Sequence, residues 1–210
     1  MKRILVVSPH PDDESVGCGG TVRRHVLAGD HVHVLFLTRG EGGGHGRPPQ
    51  ETAILRRAEA EGAGAILGVA ELEFWEEPDG ALSAEAALVS RLGERIAALA
   101  PSLIYVTHDQ ETHPDHQAAA QAVRLAVGGV DPDARPDVLT YEIWTPLQQV
   151  DEIIDITSVV AVKRRAIRAH ASQCDVIAFD DAILGLNRYR GEMLSWPEGD
   201  YAEVFARMKV

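Results

Sequence analysis

The sequence predicts an α/β protein: a Rossmann-like three-layer domain with a mainly parallel sheet. Short apolar runs rich in β-branched residues recur along the chain, and stretches with helical periodicity lie between most of them. Strands that alternate with helices need crossover connections, which favour a parallel sheet covered on both faces. The chain has 210 residues, 45% of them hydrophobic, which suits one sizeable core, so we expect a single domain over residues 1–210.

Strands and helices are predicted in alternation. The predicted strands are the runs ILVV (4–7), HVHVLFLT (31–38), LIYVT (103–107), LTYEIW (139–144) and EIIDI (152–156). The predicted helices are residues 20–28, 50–67, 83–100, 115–127 and 158–170. Pro101 ends the third helix because proline cannot continue the helical hydrogen-bond pattern. Residues 181–210 are expected to form amphipathic helical cover, with a break at Trp196 and Pro197.

The segment at residues 40–49, GEGGGHGRPP, differs from its surroundings. It contains five glycines and two prolines, so we expect a mobile loop or lid without regular structure. It is not a phosphate-binding P-loop, because no Gly-Lys-Ser/Thr follows it.

Charge and cysteine content exclude several classes of protein. There are 20 Lys and Arg against 32 Asp and Glu, and this net charge of −12 opposes the basic surface that nucleic-acid binding needs. We therefore expect no nucleic-acid partner. Cys18 and Cys174 are too few for a disulfide framework, which favours a reducing compartment. No segment approaches the ~18 consecutive apolar residues of a membrane span, so we expect a cytoplasmic protein.

Imidazoles and carboxylates crowd the loops that follow two of the predicted strands. PHPDDE (9–14) follows the first strand, and THDQETHPDH (107–116) follows the strand at 103–107. Ligand sites in such folds lie at the carboxyl ends of the strands, near the point where the strand order reverses, so both loops belong to one edge. Pro11 and Pro114 fix the backbone beside an imidazole, which holds the side chains at set angles.

Each motif alone has a plain structural explanation, since Asp13, Ser15 or Asp115 could simply cap a helix. Two such motifs at one sheet edge are less easily explained by coincidence, and together they predict a metal site. Two imidazoles with one carboxylate leave coordination positions open, as in catalytic zinc sites and in non-haem Fe(II) oxygenases. A further carboxylate beside the ligands favours hydrolysis, because a zinc hydrolase uses it as a general base.

Four stretches together resemble the PIG-L, or LmbE-like, family of zinc-dependent N-acetylglucosaminyl deacetylases. They are SPHPDDESVGCGGT, RRAEAEGAGAILGV, THDQETHPDHQAAAQAV and YEIWTP. The resemblance implies a Rossmann-like fold, one Zn²⁺ per chain, and removal of the acetyl group from a small N-acetylglucosamine-containing molecule. It also implies a homo-oligomer, trimeric or hexameric.

The same resemblance implies roles for individual residues. The implied zinc ligands are His10, Asp13 and His116. Asp12 would act as the general base. A protonated His113 would polarise the substrate carbonyl or protonate the leaving amine, and Asp115 would orient His113.

Substrate contacts are expected at three further residues. Arg56 of RRAE matches a family arginine that binds sugar hydroxyls, although it could also be a solvated helix arginine, and Asp79 of EPDG matches a loop that approaches the sugar. Arg39 is expected to receive a carboxylate on the aglycone, as in N-acetylglucosaminyl malate, because several arginines follow the second strand, although these arginines could also simply neutralise Asp12, Asp13, Glu14 and Glu41. Glu111 stands where a related branch has a tyrosine, and its role is left open, as is that of His170.

Two other functions remain compatible with the sequence. One is a nucleotide-binding Rossmann module, suggested by GCGGTV (17–22), although Val22 replaces the third glycine of the fingerprint. The other is a noncatalytic sugar-binding relative. A serine hydrolase is disfavoured because the sequence has no G-x-S-x-G motif. Metal content separates the first alternative from a deacetylase, and acetate release separates the second.

Overall fold

A mainly parallel sheet forms the middle layer of the protein, and helices cover both of its faces. The computed structural model describes residues 1–195 and 199–210. The three-layer α/β architecture predicted from the sequence is confirmed. The expected break at Trp196 and Pro197 lies outside the described residues.

The elements follow one another in βα alternation as far as β5. The strands are β1 (Arg3–Ser8), β2 (His31–Thr38), β3 (Glu71–Glu77), β4 (Leu103–Thr107), β5 (Asp137–Tyr141), β6 (Glu152–Asp155) and β7 (Ala202–Arg207). The α-helices are α1 (Asp13–Leu27), α2 (Pro49–Leu67), α3 (Ala86–Leu99), α4 (Pro114–Gly128), α5 (Val160–Ala169), α6 (Ala171–Cys174) and α7 (Phe179–Arg190). Short 3₁₀ helices lie at Glu41–Gly44, Pro132–Ala134 and Thr157–Val159, and a π-helical turn lies at Gly191–Ser195. None of the described helices combines the length and the apolar composition of a membrane span.

The strand order creates a crevice at one edge of the sheet. Within the described residues the order is β3-β2-β1-β4-β5-β7-β6. The first five strands in this order are mutually parallel, whereas β7 is antiparallel to both β5 and β6. The chain proceeds from β1 to β2 on one side and later places β4 on the other side, so the order reverses between β1 and β4. Ligands of such sheets bind outside the carboxyl ends of the strands at this point.

Successive side chains of the central strands enter two separate hydrophobic cores. In β1, Ile4 and Val6 face the core under α1, α2 and α5, and Leu5 and Val7 face the core under α3 and α4. Side chains of a strand alternate between the two faces of a sheet, so a strand covered on both faces needs a continuous apolar run. The ILVV run is therefore explained by its central place in the sheet.

Helix α1 is longer than the sequence predicted because it consists of two segments. The helical geometry is interrupted at Cys18, whose φ of −136° and ψ of 19° are not helical. After this break the backbone N–H groups of Gly20 and Thr21 donate to the Glu203 carboxylate of β7, at 2.8 and 2.7 Å. The predicted helix at residues 20–28 thus corresponds to the second segment, and the sequence analysis missed the first.

Two strands were missed by the sequence analysis. β3 carries four glutamates among its seven residues, ELEFWEE, and lies at the edge of the sheet, so its polar composition concealed it. β7 falls within the region expected to be helical cover, and that part of the expectation is wrong. The four residues Ala202–Phe205 are all buried, which a strand inside a sheet allows and a surface helix does not. Helix α7 accounts for the remaining helical part.

The glycine-rich segment at residues 40–49 is more regular than expected, since Glu41–Gly44 form a short 3₁₀ helix. The backbone N–H of Gly42 donates to Asp79 Oδ2 at 2.6 Å, and Gln173 Nε2 donates to the Gly43 carbonyl at 3.1 Å. These contacts tie the segment to the carboxyl edge of the sheet.

Candidate active site

The two histidine-carboxylate motifs meet at the carboxyl ends of β1 and β4. Residues 9–12 form a turn between β1 and α1, in which the backbone N–H of His10 donates to Asp13 Oδ2 at 2.8 Å and that of Asp12 donates to the His10 carbonyl at 3.0 Å. Residues 108–113 connect β4 to α4. The side chains of both turns therefore converge where the strand order reverses.

Three buried side chains, His10, Asp13 and His116, form what we call the metal-ligand cluster. The Asp13 carboxylate lies between the two imidazoles, with Oδ2 3.2 Å from His10 Nδ1 and Oδ1 3.3 Å from His116 Nε2. One ligand atom of each residue lies within 4.8 Å of the others. Burial raises the pKa of Asp13, but the neighbouring His116 and His10 outweigh burial and hold this pKa well below its usual range. The carboxylate is therefore ionised, as metal binding requires.

His116 gives the clearest indication of a metal. Its side chain is fully buried, yet neither ring nitrogen makes a hydrogen bond of acceptable geometry among the described residues, although Nε2 lies 3.3 Å from Asp13 Oδ1. A buried polar atom without a partner loses its hydration without compensation, which costs roughly 1–3 kcal/mol. Two imidazoles and a carboxylate are donors that zinc accepts. The cluster therefore fits a zinc ion or a similar divalent ion.

His10 also belongs to a second group that could hold a metal, together with His113 and Asp115. In that group the Asp115 carboxylate already accepts the backbone N–H groups of Gly80 (2.7 Å) and Leu82 (3.1 Å). The Nδ1 atom of His113 accepts the backbone N–H of Asp115 at 3.2 Å. Because backbone N–H groups already donate to these atoms, the metal-ligand cluster is the better candidate for a metal site.

Arg56 fixes the carboxylate of Asp12. Its Nη2 atom lies 2.9 Å from Asp12 Oδ2 and donates to the Pro11 carbonyl at 3.1 Å, while Nη1 donates to the Gly40 carbonyl at 3.0 Å. Gly40 has a φ of +67°, and a Cβ atom at this position would lie 2.5 Å from Arg56 Nη1, so the site needs glycine here. Burial raises the pKa of Asp12, and although Arg56 opposes burial, the net shift is upward.

The side chain of His113 caps the first turn of α4. Because Nδ1 accepts a backbone N–H, the proton of the neutral ring lies on Nε2. Burial lowers the pKa of His113, and the nearby His10 and His116 rings lower it further. These neighbours favour a neutral ring over the protonated one expected from the sequence.

The carboxylate of Asp115 contacts His10 and not His113 within the described part of the chain, with Oδ2 3.1 Å from His10 Nε2. The expectation that Asp115 orients His113 therefore needs correction, because the backbone N–H of Asp115 makes that contact and its carboxylate faces His10. Asp79 Oδ1 lies 3.2 Å from the same His10 nitrogen, and its Oδ2 accepts the N–H of Gly42. Asp79 thus connects the 40–49 segment to the site.

Arg39 lies apart from the other predicted site residues. Its side chain points between α2 and the edge strand β3, where it lines a separate hollow of about 220 Å³ with Arg57 and Trp75. Its Nη2 atom is 3.8 Å from Glu41 Oε1. The structure therefore separates Arg39 from the site, contrary to the sequence prediction, because its side chain lines this hollow and not the active-site cavity.

Glu111 anchors the loop that follows β5. Its buried carboxylate accepts the backbone N–H groups of three consecutive residues, Ile143 (2.7 Å), Trp144 (3.1 Å) and Thr145 (3.1 Å). A carboxylate in this place binds main-chain donors that a tyrosine hydroxyl could not satisfy together. The sequence leaves the role of Glu111 open, because no local pattern predicts a contact between loops that lie far apart along the chain.

His170 ends α5 and is buried beside the site. Its Nε2 atom lies 3.3 Å from Glu14 Oε1, which also accepts the Ser15 hydroxyl at 2.7 Å. Burial lowers the pKa of His170, but the Glu14 carboxylate outweighs burial and raises it. The side chain of His170, whose role the sequence leaves open, is thus a partner for Glu14.

The candidate site opens into a cavity of about 360 Å³ whose two sides differ in chemistry. His10, Asp12, Asp13 and Arg56 lie on one side. The other side is apolar and comes from the loop after β5 and the segment before α7. This apolar side was not predicted, because the sequence pattern placed Trp144 inside a strand at 139–144, whereas β5 ends at Tyr141.

The glycines of GCGGTV cannot serve a nucleotide. They lie inside α1 and not in the β1–α1 turn, and all three are buried. A Cβ atom at Gly17 would lie 2.2 Å from the Tyr141 ring, so this glycine allows α1 to approach the sheet. The nucleotide-binding alternative therefore loses the feature that suggested it.

Comparison with known proteins gives deacetylases as relatives. A family model described as PIG-L, GlcNAc-PI de-N-acetylase, matches residues 5–127. The diacetylchitobiose deacetylase of Thermococcus kodakarensis is 31% identical over 192 residues, covering 82% of this chain and 70% of that protein. A probable N-acetyl-alpha-D-glucosaminyl L-malate deacetylase 2 of Bacillus subtilis is 30% identical over 186 residues, covering 83% of this chain and 84% of that protein.

Two solved structures resemble the whole chain. The conserved protein TT1542 from Thermus thermophilus has a TM-score of 0.87 and 29% identity, covering 100% of this chain and 98% of that one. GalB, the 4-carboxy-2-hydroxymuconate hydratase from Pseudomonas putida, has a TM-score of 0.82 and 26% identity, covering 100% and 97%. The fold thus also carries a reaction other than deacetylation. With the matched family model spanning both motifs, we conclude that the chain belongs to the PIG-L, or LmbE-like, family.

Proposed function

We propose that the protein is a zinc-dependent N-deacetylase that removes the acetyl group from a small N-acetylglucosamine-containing molecule. The observation that carries this proposal is the metal-ligand cluster, whose buried His116 nitrogens lack partners among the described residues, directly beside Asp12. The deacetylase relatives support the same reaction class.

His10, Asp13 and His116 would hold one zinc ion per chain. When bound there, zinc acidifies a water molecule and polarises an amide carbonyl. His10 lies in the turn after β1, whereas Asp13 and His116 lie in the first turns of α1 and α4, so all three ligands are held by elements that the parallel sheet positions.

Asp12 is the proposed general base. Arg56 holds its Oδ2 atom at 2.9 Å, which leaves Oδ1 to accept a proton from the attacking water. Arg56 is therefore a positioning residue for the base, in addition to lining the cavity.

His113 is the proposed donor to the substrate. Its Nδ1 atom is occupied by the backbone N–H of Asp115, so its Nε2–H can donate to the carbonyl oxygen as negative charge develops there. Donors placed in advance at such an oxygen typically contribute ~10²- to 10³-fold to turnover. The leaving nitrogen can take the proton that Asp12 accepts from the attacking water, so His113 stays neutral throughout.

Hydration of a polycarboxylate is the second candidate, because the hydratase GalB resembles this chain over its full length. A polycarboxylate needs cationic partners in the cavity. Among the described residues, Arg56 is the single Arg or Lys lining this cavity, and it is already bound to Asp12 and two backbone carbonyls. This charge distribution favours a neutral amide over a polycarboxylate.

The test is acetate release by the zinc-loaded protein from N-acetylglucosaminides, with appearance of an equal amount of free amine. Asp12→Asn should abolish most of the release. Asp109→Asn is the matched control, since Asp109 is an exposed aspartate on the loop after β4 that pairs with Arg124. Consumption of 4-carboxy-2-hydroxymuconate without acetate release from any glycoside would favour the hydratase instead.

The proposed assembly is a homo-oligomer, trimeric or hexameric, as the family resemblance implies. Sedimentation equilibrium of the purified protein measures the subunit number directly.

A further inference from the structure

The mouth of the active-site cavity has an exposed apolar surface, which we call the apolar rim. It consists of Trp144, Val176 and Ile177, which are 45%, 51% and 37% exposed. Ile143 and Phe179 lie beneath it and are nearly buried. Large apolar side chains grouped around one opening usually mark a binding surface.

The apolar rim is held in place by the same contacts that build the site. Glu111 accepts the backbone N–H groups of residues 143–145, which fixes the loop that carries Trp144. The Trp144 ring packs edge-on against Phe179, with ring centroids 5.4 Å apart and planes at 69°. Trp144 is thus a positioned aromatic surface, which a ligand can contact at low entropic cost.

Charge in the cavity argues against an anionic group at this rim. The ionisable groups beside it include Asp12, Asp13 and Asp79, and the guanidinium of Arg56 is bound to Asp12. With zinc bound, its two positive charges and that of Arg56 offset the carboxylates of Asp12, Asp13 and Asp79, and no Arg or Lys among the described lining residues remains free to pair with a further carboxylate. The polar side of the cavity therefore suits the sugar and its amide, and the rim suits an uncharged group.

We infer that the substrate carries an apolar aglycone, aromatic or alkyl, that packs on Trp144, Val176 and Ile177. This inference rests on the proposed deacetylase function. The reacting carbonyl must lie at the metal-ligand cluster, and His10 and Asp13 of that cluster line the same cavity as the rim residues. A substrate held there by its amide therefore occupies the cavity that the rim borders, and an apolar aglycone is the one that gains by burial at the rim.

The experiment compares methyl, phenyl and carboxymethyl N-acetylglucosaminides as substrates of the zinc-loaded protein. We expect kcat/KM for the phenyl glycoside to exceed that for the methyl glycoside about tenfold, and the carboxymethyl glycoside to gain nothing. Trp144→Ala and Val176→Ser should each reduce the phenyl-to-methyl ratio. The matched control is Leu125→Ser, which removes a 46% exposed leucine of α4 that does not line the cavity and should keep the ratio.

Calorimetric titration with phenyl and methyl glucosaminide, which have no acetyl group to lose, tests the rim independently of turnover. Tighter binding of the phenyl compound that depends on Trp144 supports the inference, even if no glycoside releases acetate and the proposed function fails. Equal kcat/KM and equal Kd for the two aglycones would overturn the inference. A preference for carboxymethyl glycosides, a preference for longer N-acyl chains over apolar aglycones, or a changed subunit number in Val176→Ser without a changed ratio would also overturn it.

Discussion

Two groups of charged side chains in this protein are buried to the same extent but differ in their hydrogen bonding. The metal-ligand cluster and the Lys163–Glu203 pair are both withdrawn from solvent, with Lys163 at 0% and Glu203 at 1% exposure. In the pair, the Glu203 carboxylate accepts Lys163 Nζ at 2.6 Å and the N–H groups of Gly20 and Thr21. In the cluster, both ring nitrogens of His116 lack partners among the described residues.

This difference separates a structural charge from a functional one. The polar groups of the Lys163–Glu203 pair find their partners within the protein. Glu203 of β7 accepts two backbone N–H groups at the start of the second segment of α1, just after the break at Cys18. The metal-ligand cluster is incomplete without a further partner. Burial alone does not identify a site. Here a site is indicated by buried imidazoles and a carboxylate that lie within ligand distance of one another, together with unsatisfied ring nitrogens.

The largest expected effect comes from the adjacent residues Asp12 and Asp13, of which only Asp13 belongs to the metal-ligand cluster. Asp12→Asn should keep the metal and lower kcat by ~10²- to 10⁴-fold, because it removes the general base but no ligand. Asp13→Asn should lose the metal. Metal analysis and steady-state kinetics on both variants measure this. Loss of metal from Asp12→Asn with retention in Asp13→Asn would reverse the assignment.

Substitutions in the Lys163–Glu203 pair should change the stability of the protein, whereas those at Asp12 and Asp13 should change its activity or metal content. Glu203→Ala should lower the free energy of unfolding by roughly 3–5 kcal/mol, because it leaves the buried Lys163 ammonium and two backbone N–H groups unpaired. Lys163→Met should cost less, since Glu203 keeps the donors of Gly20 and Thr21. Urea unfolding provides the values, and the comparison fails if Lys163→Met is the more harmful change.

Zinc binding at the metal-ligand cluster should stabilise the folded protein by mass action. Zinc at about 100 times its Kd should raise the free energy of unfolding by about 2.7 kcal/mol, provided that it does not bind the unfolded chain. His116→Ala should lose this increment and Lys163→Met should retain it. Thermal or urea unfolding with and without zinc tests the prediction, and an equal increment in His116→Ala would contradict it.

The smallest effect belongs to an exposed ion pair near the site. Asp109 and Arg124 lie 2.5 Å apart on the surface, with side-chain exposures of 46% and 35%. Exposed pairs of this kind contribute roughly 0–1 kcal/mol. Asp109→Asn should therefore change the unfolding free energy by less than about 1 kcal/mol and leave acetate release intact. A larger loss would mean that the loop after β4 depends on this pair.

The sequence predicts the site well where one short segment contains both a strand and the reactive side chains that follow it. HPDD and HPDH each follow a buried apolar strand, so the alternation of strands and helices was enough to bring them to one edge. The second segment of α1 was predicted from Gly20, although the structural cause, Glu203, lies on a distant strand. Contacts between segments far apart in sequence were not predictable, because no local pattern encodes them.

Three particular errors have the same origin. β7 lies within residues 181–210, which the sequence predicts as helical cover, and only the fold reveals that Glu203 is buried against Lys163. Arg39 is expected at the substrate from its proximity in sequence, whereas its side chain lines a separate hollow beside Arg57 and Trp75. The family resemblance implies that Asp115 orients His113, but the Asp115 carboxylate faces His10 across the crevice.

The central claim is that His10, Asp13 and His116 hold one divalent metal ion, and metal content tests it most directly. The protein is loaded with zinc, dialysed and analysed by inductively coupled plasma mass spectrometry. We expect about one zinc per chain in the unmodified protein and in Lys163→Met, and almost none in His10→Ala, Asp13→Ala or His116→Ala. Full zinc occupancy in all three of the ligand variants, with each still folded, would contradict the account.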